Sequence, residues 1–460
     1  MPRVKSGALE RVLRNVLRPL LVLRRHRGLS ILVLYAALEL RAFLRFQALN
    51  IRLASWRTPL SLAFPRAEWR RFFSKSLCAE ALKRPTDLRV SVEKLFWARP
   101  LHDITRAAIE KWLRMYLSTC EDEERPALAD EARELDEEAA RLCGVLEGAF
   151  GHQFQEGGEQ EFVRINSSAT NHSPASPLFQ LLPVRLGKMC LRVAARAIFR
   201  RVGCSWHRDE STGMEYWCRR GQGAGLIFFH GVGCGLSPYA LLAWDLAKHY
   251  PGPLILAEIP VAGCAPRGTG TPVPRAEEIA SSVERMKAKL GIRILHGCGH
   301  SFGGMVLSSI QKYKPDMFSR IVYIESPVFF FRYSEGFPIV CKEHSVVSII
   351  SQFCCCKFRD AAMDLFLSDP LQQHGIHHGF WFMEACDFEK HLDERILVIL
   401  GEEDRLCSVK TKDWLATEHP RVTVEIYCGR HGDILLPPHS RWASQKIALF
   451  LDNTEVLEIA

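Results

Sequence analysis

The run Gly299-His300-Ser301-Phe302-Gly303 sets a serine between glycines where an apolar stretch gives way to an amphipathic one. Small flanking residues permit a sharp strand-to-helix turn that leaves the serine oxygen exposed at the end of a strand. A glycine-rich turn without chemical consequence has the same pattern, so the motif needs company. Three other segments supply it. Phe229-His230-Gly231-Val232-Gly233 ends an upstream apolar run in a flexible loop, from which the Val232 N–H, with the Phe302 N–H, can face a developing oxyanion. Gly401-Glu402-Glu403-Asp404 follows the run 396–400 and places Asp404 in a loop. His431 stands in Cys428-Gly429-Arg430-His431-Gly432, after the last apolar run.

These residue types point to acyl transfer. A serine hydroxyl is a weak nucleophile at its own pKa, so Ser301 needs His431 to take its proton as general base and later return one to a leaving group. Asp404 would fix the tautomer of His431 and stabilise the imidazolium. Glu402, Glu403 and Asp433 are rival acids, but Asp404 alone has the expected offset from the strand-ending glycine. His439 is the poorer base, because it is about to enter a terminal helix.

Apolar runs at 226–229, 254–257, 292–295, 321–324, 396–400 and 422–427 predict strands, and amphipathic stretches at 239–249, 276–290 and 302–313 predict helices between the first four. Such alternation predicts an α/β fold with a mostly parallel central sheet flanked by helices. The aromatic-rich stretch 331–392 interrupts it and reads as an inserted lid. Upstream, 104–113 has a helical rhythm, and Leu128, Leu135, Leu142 and Leu146 make one apolar stripe in an acid-rich helix whose charges form its solvated face. Residues 151–175 read as a loop and 186–201 as helix. The expected organisation is a basic, apolar segment at 1–75, a helical extension at 76–213, and a core at 214–330 and 393–460 around the lid.

The 460 residues carry a formal charge of +8, but residues 1–71 hold fifteen Lys and Arg against Glu10, Glu39 and Glu68, leaving the remainder near −4. A basic excess confined to one end argues against a nucleic-acid-binding body and for a segment that meets an anionic surface or a targeting receptor. The uncharged run 29–38 is too short to cross about 30 Å of hydrocarbon. Four readings remain open: a signal anchor extended to about Leu49, an interfacial helix with snorkelling arginines, an Arg-rich organelle transit peptide, and an amphipathic helix packed on the core. The first two make the protein membrane-associated and intracellular; the third targets it to an organelle. The sixteen cysteines include no CxxC pair and read as free thiols in a reducing compartment.

Phe229-His230-Gly231, Gly299 to Gly303, Asp404 and His431, in that order, resemble the α/β-hydrolase superfamily over residues 214–456. More narrowly, 229–239, Glu215-Tyr216-Trp217, Phe380-Trp381-Phe382 and the long helical N-terminal half are similar to a membrane-associated group of α/β hydrolases from fungi and algae. The resemblance implies the α/β-hydrolase fold, a Ser–His–Asp triad and membrane association. The expected activity is cleavage of an ester or thioester of a hydrophobic acyl substrate, with a lipid among the candidates; an acyltransferase with the same triad and an inactive binding protein of the same fold are the alternatives. No cofactor or metal is expected. Gly221-Gln222-Gly223-Ala224-Gly225 precedes a strand instead of opening a helix, and His374, His377 and His378 lack a third ligand of defined spacing. The run Cys354-Cys355-Cys356 reads as buried in an apolar helix, with palmitoylation the alternative if the lid touches a membrane.

Overall fold

The computed structural model describes residues 70–118, 129–160, 178–260, 274–329 and 392–452, less short gaps within those ranges. The segment 1–69, nearly all of the lid, the triple-cysteine run and His374, His377 and His378 lie outside the described residues. The chain divides into two compact units, one of residues 1–56 and 170–186, the other of 57–169 and 187–460.

The centre of the larger unit is an eight-stranded sheet of order β1-β2-β4-β3-β5-β6-β7-β8. The strands are β1 Ser205–Arg208, β2 Glu215–Arg219, β3 Gly225–Phe229, β4 Leu254–Glu258, β5 Leu295–His300, β6 Ile321–Ile324, β7 Ile396–Gly401 and β8 Thr423–Tyr427. β1 and β2 pair antiparallel, β2 lies antiparallel to β4, and every pair from β4 to β8 is parallel. This order, with helices on both faces, is the α/β-hydrolase fold.

The two faces follow from the alternation of side chains along each strand. Ile227 and Phe229 of β3 join Ile255 and Ala257 in one core, closed by α6 Ala276–Lys289, α7 Phe302–Tyr313 and α8 Thr411–Glu418. Leu226 and Phe228 point the other way, into a second core with Leu254, Leu256 and the inner faces of α5 Ala240–His249 and α9 His439–Asp452. Strands buried on both faces read as unbroken apolar runs, which is why β3, β4, β6 and β7 fall within a residue of their expected bounds. The helices α1 Pro85–Leu95, α2 Arg106–Ser118 and α3 Ala129–Phe150 share a separate core, into which Leu135, Leu142 and Leu146 of the expected stripe turn; Leu128 lies outside the described residues. The helix α4 Leu178–Arg201 starts earlier than 186. Among the described residues no helix is long and apolar enough to cross a membrane.

The sheet departs from expectation in two places. The strand placed at 292–295 is β5 Leu295–His300, whose Leu-His-Gly-Cys-Gly-His sequence has little strand propensity. Packing overrides propensity at this point: a Cβ on Gly297 would stand 2.4 Å from the Leu307 side chain, so the absent side chain is what lets α7 lie against the strand. The hairpin β1–β2 is additional to the expected strands, being too short for its alternation to stand out.

Asp209 ties that hairpin to α6. Its carboxylate accepts from the hydroxyls of Ser211 (2.7 Å), Thr212 (2.8 Å) and Ser282 (2.7 Å), and from the Arg285 guanidinium (2.9 Å). Burial alone would push this carboxyl up, but the bonds from Arg285, Ser211, Ser282 and Thr212 outweigh it and hold the group well below the usual carboxylate range. A depressed folded-state value contributes stability above the unfolded-state pKa of about 4, and that contribution disappears as the pH falls toward the folded-state value. Asp209→Asn is therefore expected to cost about 1–3 kcal/mol at neutral pH, with the gap in melting temperature from wild type closing as the pH drops below about 4. Melting curves across that range check it; a gap independent of pH would mean that the charge contributes nothing.

Candidate active site

The strand order reverses at β3, since β4 lies on one side of it and β5 on the other. In parallel sheets the loops leaving the carboxyl ends at such a reversal part and leave a crevice. The loops after β3, β5, β6, β7 and β8 carry His230 to Val232, Ser301, Glu325, Asp404 and His431 respectively.

Ser301 holds φ +52° and ψ −123°, a conformation that L-residues other than glycine seldom adopt, directly between β5 and α7. Its N–H donates to the Ile324 carbonyl (2.9 Å), and its own carbonyl accepts from the Gly304 N–H (3.0 Å) and the Ser326 hydroxyl (3.2 Å). The turn also needs α7 to start against β3. A Cβ on Gly303 would lie 2.1 Å from the Phe229 carbonyl oxygen, a backbone atom held in the sheet.

The structure brings Ser301, His431 and Asp404 together. His431 Nε2 is 3.1 Å from Ser301 Oγ, and its Nδ1 is 2.9 Å from Asp404 Oδ2. All three are buried, and the other oxygen of Asp404, Oδ1, accepts from the Cys407 N–H at 2.9 Å. Since a carboxylate only accepts, the His431 proton belongs on Nδ1, which leaves Nε2 to accept from the serine hydroxyl. The rival acids stand elsewhere: Glu403 accepts from the Arg430 guanidinium at the surface, Asp433 from the Arg430 N–H, and Glu402 is exposed. His439 opens α9 with its ring 5.0 Å from that of Tyr427. Val232 lies half-buried in the loop after β3, and its neighbour Gly231 abuts the serine so closely that a Cβ there would stand 3.1 Å from Ser301 Cβ. Phe302 is the first residue of α7.

Ligand-type atoms of Asp404, Cys407 and His431 lie within 4.8 Å of one another, close enough for a metal ion. Asp404 and His431 use those atoms on each other, and burial pushes the Cys407 thiol well up, against the thiolate that a metal would need. The ends of the same strands and the loops beyond them hold further groups that no motif in the sequence marks. Glu325 is wholly buried at the end of β6, His300 precedes the serine, and Tyr239 and Tyr427 bond to one or the other. The available signal was an acid closing the apolar run Ile321-Val322-Tyr323-Ile324.

No model of a protein family and no curated protein matches the sequence. Among solved structures the chain is similar to a bacterial membrane phospholipase A, described as a virulence factor, at 18% identity and a TM-score of 0.45, over 60% of this chain and 93% of that one. It is also similar to a serine hydrolase from Cycloclasticus zankles (17%, TM-score 0.42, 54% of this chain and 97% of that one) and to a hydrolase from Pseudomonas aeruginosa (16%, TM-score 0.41, 54% and 98%). Likenesses this distant are matters of fold alone.

Gly303→Ala is expected to push α7 off β3 and cost about 1–3 kcal/mol or more, because the clashing atom is backbone and cannot step aside. Gly148→Ala, at a position in α3 with nothing within 4 Å of the new methyl, should instead be neutral or stabilising by about 0.5–1 kcal/mol. Thermal denaturation of the two proteins separates a packing requirement from a general sensitivity of glycines.

Proposed function

We propose that the protein is a serine hydrolase that cleaves esters of hydrophobic acids through an acyl-enzyme on Ser301. The observation that carries this reading is the continuous set of contacts from Ser301 Oγ through His431 to Asp404, at 3.1 and 2.9 Å, with the serine held in a strained turn at the head of a helix. Nucleophile, base and orienting acid within hydrogen-bond reach of one another are what an activated hydroxyl requires.

In the proposed reaction His431 Nε2 takes the Ser301 proton as Oγ bonds to the acyl carbon. The imidazolium is stabilised by Asp404, whose orientation the Cys407 N–H keeps fixed. The tetrahedral oxyanion sits against the N–H groups of Val232 and Phe302, on the two backbone segments that meet at the serine. When the intermediate collapses, the alkoxide leaves with the proton from His431. Water then gives its proton to Nε2, attacks the acyl carbon and releases the acid, returning the proton to Ser301.

The aromatic content of 331–392 and the basic, apolar N-terminus support an acyl substrate of lipid type presented at a membrane. On this reading the N-terminal segment attaches the protein to an anionic membrane surface, as the resemblance to the membrane-associated group of α/β hydrolases also implies.

A fluorophosphonate probe, which reacts only with an activated serine, should label the wild-type protein and not Ser301→Ala. Ester turnover should fall about 10⁴-fold or more in Ser301→Ala and in His431→Ala, and somewhat less in Asp404→Asn, since the acid is the most dispensable member of such a set. Labelling of Ser301→Ala at the wild-type rate would remove that residue from the mechanism. The full-length protein should sediment with membranes and a protein lacking residues 1–75 should not. Full-length chain recovered in the soluble fraction, with its N-terminus unprocessed, would sink the membrane assignment.

A further inference from the structure

Glu325 is a charged side chain with no exposure, and the contacts among Ser301, His431 and Asp404 do not use it. It directly follows β6, and its own φ of +43° turns the chain out of the strand direction. Oε2 accepts from the Gly432 N–H at 2.7 Å and faces His300 Nε2 at 2.9 Å, while Oε1 accepts from the Tyr427 hydroxyl. His300 Nδ1 in turn lies 2.7 Å from the hydroxyl of Tyr239, which accepts from the Gly231 N–H at 2.7 Å. One path of hydrogen bonds therefore runs from the loop after β3, behind Ser301, to the residue that follows His431. The His300 and His431 rings lie side by side along it, with centroids 5.4 Å apart.

We propose that Glu325, paired with His300, is a second carboxylate acting on His431, a positioning residue that clips together the loops on either side of Ser301 and sets negative charge where the imidazolium forms. The proposal rests on the reading of His431 as the general base.

The protons along the path fix its electrostatics. Burial lowers the His300 imidazole, against the bond and charge of Glu325, so the ring is neutral. Burial would raise the Glu325 carboxyl, but the bonds that it accepts from His300 and Tyr427 and the neighbouring His431 bring it down, so it is ionised. An ionised carboxylate can only accept, which puts the single proton of His300 on Nε2 and leaves Nδ1 to accept from Tyr239. The pair thus carries one negative charge, alongside that of Asp404.

The other titratable groups packed on Glu325 are Cys407, whose thiol donates to the Glu325 carbonyl (3.0 Å), and Tyr427; burial holds both in their neutral forms. Beyond His300 lie His230, lowered by burial, and Glu258; beyond Tyr427 lies Asp433. None of the neutral groups cancels the charge on Glu325. A buried charge is costly unless it is hydrogen-bonded, and a clip alone could be built from an amide. A carboxylate at this place does something that an amide cannot, because the attraction between Glu325 and His431 acts on both partners and favours the protonated imidazole.

The test compares wild-type protein with Glu325→Gln, which keeps the shape and removes the charge. Full-length protein labelled with ¹⁵N-histidine is titrated by imidazole NMR, and the rate of fluorophosphonate labelling is measured over the same range. Without Glu325 the imidazolium loses support and His431 stays neutral to lower pH. Its titration midpoint and the acid limb of labelling should therefore both move down by about half a unit or more. In wild type, His300 should be the neutral Nε2–H tautomer at neutral pH.

A folded Glu325→Gln protein with an unmoved midpoint overturns the proposal, since a merely structural clip would lower the rate without shifting the limb. A wild-type His300 that is charged, or protonated on Nδ1, at neutral pH overturns it as well, and that measurement needs no variant if Glu325→Gln fails to fold. A midpoint that moves in a protein whose wild type never labels would reject the hydrolase reading while upholding the coupling.

Discussion

The backbone at Ser301 is the constraint around which the rest is arranged. A residue other than glycine at φ +52° costs about 1–3 kcal/mol, and it persists only where its surroundings leave no alternative. Here the surroundings are two strands and a helix. The Ser301 N–H is taken by β6 through the Ile324 carbonyl, its carbonyl is held by the first turn of α7, and α7 is pressed on β3 by the contact of Gly303 with Phe229. Relaxing the serine would require breaking a ladder bond or lifting a helix whose buried face includes Met305, Val306, Leu307 and Ile310. The apolar burial of α7 thus sustains a local strain that it does not itself contain.

The same geometry recurs one strand over. Glu325 is the other described non-glycine residue at positive φ, and it occupies the corresponding place at the end of β6, its N–H bonded to Ile399 of β7. Two adjacent strands therefore end in bent-back residues that turn polar side chains out of the strand direction, Ser301 toward His431 and Glu325 toward His300 and Gly432. Gly432, at φ +84°, gives the histidine loop a comparable turn, and its N–H lands on Glu325.

What the sequence makes legible is whatever leaves a local trace. Strands buried on both faces appear as apolar runs, and α6 and α7 appear as amphipathic periods, because burial of one face selects residues at fixed spacing. Ser301, His431 and Asp404 are visible because each must leave a strand end through a glycine-bearing turn. β5 is displaced from its expected place because the strand is built from glycines that packing demands and propensity disfavours. Glu325 escapes notice for a different reason. Its partners are 25, 102 and 107 residues away, and a carboxylate that bonds to a histidine ending β5, a tyrosine ending β8 and a backbone amide in the loop beyond has no spacing to betray it.

Three histidines near the crevice show how environment divides one residue type into different tasks. His230 accepts from the Ile259 N–H on Nε2 (2.8 Å) and faces the Gly231 carbonyl through Nδ1 (2.6 Å), so both nitrogens are committed to backbone and the ring braces the loop after β3. His300 spends both nitrogens on side chains, Tyr239 and Glu325, and burial keeps it neutral, which makes it a relay of hydrogen bonds with no nitrogen left for a substrate. His431 gives Nδ1 to a carboxylate and Nε2 to a hydroxyl. His300 also accepts from a hydroxyl, but that of Tyr239 is held in turn by the Gly231 N–H, whereas the Ser301 hydroxyl sits at the strained turn between β5 and α7. The carboxylates sort in the same way. Asp404 meets the histidine directly, whereas Glu325 meets it through the amide of the next residue and is joined through His300 and Tyr239 to the loop on the far side of the serine. The loop after β3 and the loop after β8 are thus joined behind the serine through a single buried carboxylate.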